Sequence, residues 1–155
     1  MISLNMKLSE DFKLWEFVTS TTADQNGIKN IPNEREIAHL RILCQKILQP
    51  ARKALGPLKI SSGFRSAELN KFVGGVVNSD HRLGYAADVI PYNVSTRKLA
   101  EWIVRNCPEF DQVILEFGTL TRPNWIHLSA APANRKQVLR ATYKGGKVVY
   151  QAIKI

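Results

Sequence analysis

Cysteine is nearly missing from this chain of 155 residues, which has only Cys44, within a helical pattern, and Cys107, at the end of another. So few exclude a disulfide framework and a Cys-rich zinc site, and both read as buried thiols. Long apolar runs are missing too. No stretch approaches the ~18 apolar residues of a spanning helix. Met1 to Lys7 lack the basic start and apolar core of a secretory leader, so neither signal peptide nor membrane anchor is expected. Acidic residues are few, 13 Asp and Glu against 22 Lys and Arg, and leave a formal net charge of +9. That excess attracts polyanions, whether nucleic acid, an anionic membrane surface or a bacterial wall. The basic residues are scattered, however, and form no RNP motif or basic recognition helix, so specific nucleic-acid binding is not expected. The 45% apolar and 8% aromatic content belongs to an ordinary globular chain, here one domain over residues 1–155.

Patterning outlines the elements. Ser9 is placed to cap a short helix through Phe17, with Phe12, Leu14, Trp15 and Phe17 supplying apolar contacts. The polar stretch Thr19 to Asn33 reads as a loop. Helical spacing of Ile37, Leu40, Leu43, Ile47 and Leu48 predicts a long helix from about Asn33 to Leu55, ended by Gly56-Pro57 and open to a kink at Pro50. His39 on that helix has no ligand-type neighbour and is left out of any site. Leu58 to Ser62 reads as a strand, Ser66 to Phe72 as helical turns, and Ser95 or Thr96 to Asn106 as a third helix. Tyr143 to Val148, with Gly145-Gly146 at its centre, is a hairpin turn between apolar strands.

The chemistry concentrates in two segments, Ser79 to Asp88 and Asn124 to Ser129. His81, Asp88 and His127 offer two neutral imidazoles and a carboxylate, three ligands that leave zinc a fourth position for water. Metal binding at such a site lowers the pKa of water towards neutrality and polarises a carbonyl. Gly84, Ala86 and Ala87 let the backbone turn tightly between the first two ligands, and Val89-Ile90 place Asp88 where loop enters strand.

Gln112 to Phe117 and Trp125 to Ser129 read as two strands joined by a long loop. With a symmetric loop, Glu116 faces Trp125 and Ile114 faces His127, which puts the Glu116 carboxylate on the face of His127. Asp111 falls at the far end of its strand, and Asp80 is expected to point away from His81.

Ser61-Ser62-Gly63-Phe64-Arg65-Ser66, Asn70, Val73-Gly74-Gly75, the ligand segment and Trp125-Ile126-His127-Leu128-Ser129 resemble, in order, the successive motifs of one group. That group is the zinc D-Ala-D-Ala carboxypeptidases and L-alanyl-D-glutamate endopeptidases, peptidoglycan peptidases that share a fold with the hedgehog signalling domain. The resemblance covers roughly residues 58 to 129 and is strongest to small phage and prophage members. It implies an α+β domain, helices on a small, mainly antiparallel sheet, with one zinc ion per chain held by His81, Asp88 and His127. It implies amide hydrolysis in stem peptides, with Arg65 binding a substrate carboxylate or stabilising the developing oxyanion. The implied setting is the host cytoplasm before release, or the virion with other virion proteins as partners.

One position departs from that pattern. Many relatives carry an acid three residues before the last histidine; here Asn124 stands there, and an amide has no useful basicity. Either Glu116 serves as the base, or the protein binds zinc and catalyses weakly as a structural component of a particle. Ser79 is placed to contact substrate or to hold the ligand loop. Trp125 either lines the cleft or packs in the core, and Tyr85 either orients substrate or covers the turn. A polyanion-binding role through the basic surface is the remaining alternative.

Overall fold

Strand alternation divides this molecule into a helical side and an open side. The computed structural model describes residues 2–155. Its sheet has six strands: β1 (Leu58–Ser62), β2 (Ala86–Pro91), β3 (Gln112–Glu116), β4 (Trp125–Ser129), β5 (Gln137–Lys144) and β6 (Lys147–Ala152). They lie in the order β1-β2-β4-β3-β5-β6. Every neighbouring pair is antiparallel except β3 and β5, which run parallel. The fold is α+β with a mainly antiparallel sheet, as expected, and the single parallel pair makes it mixed.

On one face Ala87, Val89, Val113, Leu115, Ile126 and Leu128 are fully buried against Leu40, Leu43, Ile47, Leu48, Leu99 and Ile103. With a period of two, their neighbours Asp88, Ile114, Glu116, Trp125 and His127 must face the other way. The site is therefore built on the face the helices leave open. Register follows the hairpin reading: Glu116 pairs with Trp125, and Ile114 with His127.

The long helix forms as α3 (Glu34–Leu43), a π-helical segment (Cys44–Leu48) and α4 (Gln49–Leu55). Asn33 starts it with a full capping box: its side chain accepts from the Glu36 N–H, and the Glu36 carboxylate accepts from the Asn33 N–H. The π-turn shifts the hydrogen-bond register just ahead of Pro50, which has no N–H to give, so the helix runs on to Leu55. Both cysteines are free and buried, and burial raises the Cys44 thiol well above its ordinary range and pushes Cys107 up to about 11.

Two expectations fail near the amino terminus. Ser9 caps no helix; its hydroxyl donates to Gln49 Oε1 at 2.7 Å, and the Asp11 N–H donates to the same oxygen at 2.8 Å. The buried Gln49 amide supplies the partners a helical turn would have provided. Helix α1 is only Trp15–Val18, and Trp15 is exposed while Phe12, Leu14 and Phe17 are buried. The stretch read as loop contains α2 (Thr21–Gln25), capped by Ser20, whose hydroxyl accepts from the Ala23 N–H.

Helices α5 (Ala67–Phe72) and α6 (Thr96–Asn106) start at Ser66 and Ser95, each accepting from the backbone three residues on. The β5–β6 hairpin turns at Gly145 and Gly146, whose φ values of +59° and +75° suit a tight turn of the favoured twist. Among the described residues no helix is long and apolar enough to cross a membrane.

Candidate metal centre

Asp88 lies within β2 and not at its entrance, and the register sets it directly opposite His127 on β4. His81 arrives from a 3-10 helix, Asp80–Leu83, that Ser79 begins: the Ser79 hydroxyl accepts from the His81 N–H at 3.3 Å. The donor atoms of His81, Asp88 and His127 all lie within 4.8 Å of one another. His81 Nε2 and His127 Nδ1 each stand 3.4 Å from Asp88 Oδ1.

This arrangement suits a cation. His81 Nδ1 is 2.7 Å from the Gly63 carbonyl, which can only accept, so in the neutral ring Nδ1 holds the proton and Nε2 offers a lone pair to Asp88. A lone pair and a carboxylate oxygen at that separation repel unless a cation lies between them. Asp88 Oδ1 is buried and has no hydrogen-bond partner among the described residues. Burial raises the Asp88 carboxyl, but positive charge on the His127 and His81 side of the site, as a bound cation would also supply, outweighs it and holds the group well below the usual carboxylate range. An ionised oxygen without a hydrogen bond, between two imidazole nitrogens, fits one divalent ion.

The turn between the ligands depends on Gly84, which sits at φ +79° with the Glu36 carbonyl 2.5 Å from where a Cβ would be. Gly84→Ala is expected to lower stability by at least ~1–2 kcal/mol and to weaken metal binding, read by thermal melts and zinc titration.

The triad opens into a cleft of about 720 Å³ that is also lined by Arg65, Ser79, Glu116, Trp125, Arg135 and Tyr150. Glu116 is raised above its ordinary pKa, first by burial and then by the Asp88 charge. The Trp125 indole N–H is near enough to favour the charged form of Glu116, yet no acceptor meets it in hydrogen-bond geometry among the described residues.

Arg65 is tied to the same loop, its N–H donating to the His81 carbonyl at 3.0 Å. Its guanidinium donates through Nη1 to Asn70 Oδ1 at 3.3 Å, and the Asn70 amide donates to the Val76 carbonyl at 2.8 Å. Asn70 is only 3% exposed, so it fixes both Arg65 and the glycine turn from inside. Asn70→Ala is expected to free the Arg65 guanidinium with zinc content unchanged, and a KM raised about tenfold would mark Arg65 as a substrate contact.

Of the residues singled out from sequence, His81, Asp88, His127, Arg65, Glu116, Ser79 and Trp125 share this cleft. Tyr85 does not line it; its ring stacks on His39 at 4.2 Å, and His39 Nδ1 meets the Leu83 carbonyl at 2.7 Å. The pair covers the ligand turn, a part for His39 that no local pattern reveals. Asn124 is also outside the cleft, where its N–H donates to the Glu116 carbonyl at 2.9 Å and closes the β3–β4 ladder. Asp80, expected to point away, lines the cleft because the tight 3-10 turn brings it round.

Tyr150 and Arg135 carried no signal. Their place in the cleft depends on the parallel pairing of β5 with β3, a contact between distant segments.

Residues 10–129 match the family model described as Peptidase M15. A segment of 44 residues, 27% of this chain, is 48% identical to the zinc D-Ala-D-Ala carboxypeptidase of Streptomyces albus G, and covers 17% of that protein. The match is thus to a small part of the longer relative. The family match spans most of the chain and takes in every ligand of the triad, so this protein belongs to the Peptidase M15 family.

Proposed function

We propose that this chain is a zinc peptidase that hydrolyses an amide bond in peptidoglycan stem peptides. The observation that carries this is the orphaned, buried Asp88 Oδ1 between two imidazole nitrogens, with the Glu116 carboxylate in the same cleft. His81, Asp88 and His127 would hold one zinc ion. When bound, zinc supplies Lewis acidity towards the scissile carbonyl and brings the pKa of water near neutrality.

The remaining work falls to the chain's own residues. Glu116 accepts the proton of the attacking water and delivers it to the leaving amine; its raised pKa suits both halves of that transfer. Arg65 presents a fixed positive charge to a substrate carboxylate or to the oxyanion as it forms. Trp125 walls the cleft beside Glu116. Ser79 holds the His81 turn.

The D-Ala-D-Ala terminus and the L-Ala-D-Glu link are the two bonds in question, and the relative's name favours the first. Resemblance to small phage enzymes makes lysis, or a place in the virion, part of this reading. The +9 charge supports concentration on an anionic wall. Purified peptidoglycan treated with the zinc-loaded protein, its products identified by mass spectrometry, tests it. Defined stem-peptide fragments are expected and name the bond. No release from folded, zinc-replete protein would overturn the peptidase reading in favour of a zinc-binding scaffold.

A further inference from the structure

The two ends of the cleft differ in chemistry. On one side of the His127–Ile114 pair stand Glu116, Trp125 and Tyr150; on the other stands Gln112, with Arg135 bound to Asp111 just before it. Gln112 lies two residues along β3 from Ile114, the partner of His127. That is roughly 7 Å of strand, or about two residues of an extended peptide lying in the cleft.

Arg135 is held there with unusual firmness. Asp111, fully buried just before β3, accepts from the Arg135 N–H at 2.7 Å, from Nε at 3.0 Å and from Nη2 at 2.7 Å. A two-point fork and a backbone bond fix the plane of the guanidinium. The chain takes left-handed backbone on both sides to do so: Asn134 has φ +46° and Lys136 φ +57°, unfavourable for residues with a Cβ.

Asp111 occupies one edge of the fork. A guanidinium has five N–H donors, and Nη1 bonds to no other described residue. The side chain is 43% exposed, on the cleft. Asp80 adds a negative field nearby but forms no ion pair with it.

We propose that Arg135 is a second anion-binding group of the cleft, receiving a carboxylate of the peptide substrate about two residues from the bond that is cut. The proposal rests on the peptidase reading for the identity of the ligand. Arg65 and Arg135 would then read two acidic groups at a set spacing and so fix which bond reaches the metal.

The test uses two peptides that differ only in a carboxylate or a carboxamide at that position, each also made with an N-methylated, uncleavable scissile bond. Affinities of the uncleavable pair for the zinc-loaded protein are measured by calorimetry, and turnover of the parent pair alongside. The acid is expected to bind roughly tenfold tighter than the amide. In the double variant Arg135→Gln/Asp111→Asn, which removes the fork without stranding a buried carboxylate, the two peptides should bind equally to within about twofold. Arg135→Lys, which keeps the charge over Asp111 but not the fork, should reduce the preference if the double variant does not fold.

Equal affinities in the wild type, or a preference that survives removal of the fork, would overturn the assignment. Cleavage with no preference leaves the peptidase reading standing without Arg135. A preference with no cleavage does the reverse.

Discussion

Glu116→Gln is expected to bind zinc and fold as the parent does, yet lose turnover by roughly 10²- to 10⁴-fold, the usual contribution of a positioned general base. Gln keeps the shape and hydrogen-bonding capacity of the side chain and removes its ability to take a proton. Single-turnover hydrolysis of a stem peptide, with zinc content measured on the same sample, checks this. Activity within a few-fold of the parent would remove Glu116 from the mechanism.

The same substitution has a second expected effect, of opposite sign. Burial first, and then the Asp88 charge, raise the Glu116 carboxyl above its ordinary pKa in the fold. A raised acid binds its proton more tightly folded than unfolded, so stability of the metal-free protein falls as pH rises from the ordinary Glu value through the raised one. Metal-free Glu116→Gln should therefore melt above the metal-free parent at neutral pH. The gap should close as pH falls below the ordinary Glu range. A side chain that lowers stability where it ionises fits a group kept for chemistry.

Chelation or His81→Ala is expected to abolish hydrolysis and to lower the melting temperature markedly. With free zinc at a thousandfold excess over its Kd, binding to the folded state alone adds about 4 kcal/mol. Removal leaves the buried Asp88 carboxylate without a cation to pair with. Melting curves with and without a chelator, and with zinc restored, measure this. A melting temperature indifferent to zinc would sink the metal assignment.

The metal triad was legible in the sequence because its parts are local. His81 comes with its own turn, closed by Gly84, and Asp88 and His127 each lie on short apolar strands whose alternation reads directly. The β3–β4 register was legible for the same reason: two strands joined by one loop, with a period of two, leave few pairings. The same period sets Glu116 on the face of His127.

The amino-terminal segment departs from its local pattern where a distant side chain intervenes. Ser9 has a cap's chemistry, but Gln49 lies beside it in the fold and takes its hydroxyl. The cleft walls were also beyond local reading. Tyr150 and Arg135 line the cleft only because β5 runs parallel to β3, and Asn70 matters only because Arg65 meets it.

By itself, then, the sequence pointed to His81, Asp88 and His127 as one set and to the strand that carries Glu116, since each depends on residue type and short-range period. Only the tertiary structure decided what surrounds them: the orphaned Asp88 oxygen, the Asp111–Arg135 fork and the Tyr85–His39 cover. Those depend on long-range packing and on the desolvation it imposes, and no local pattern encodes either.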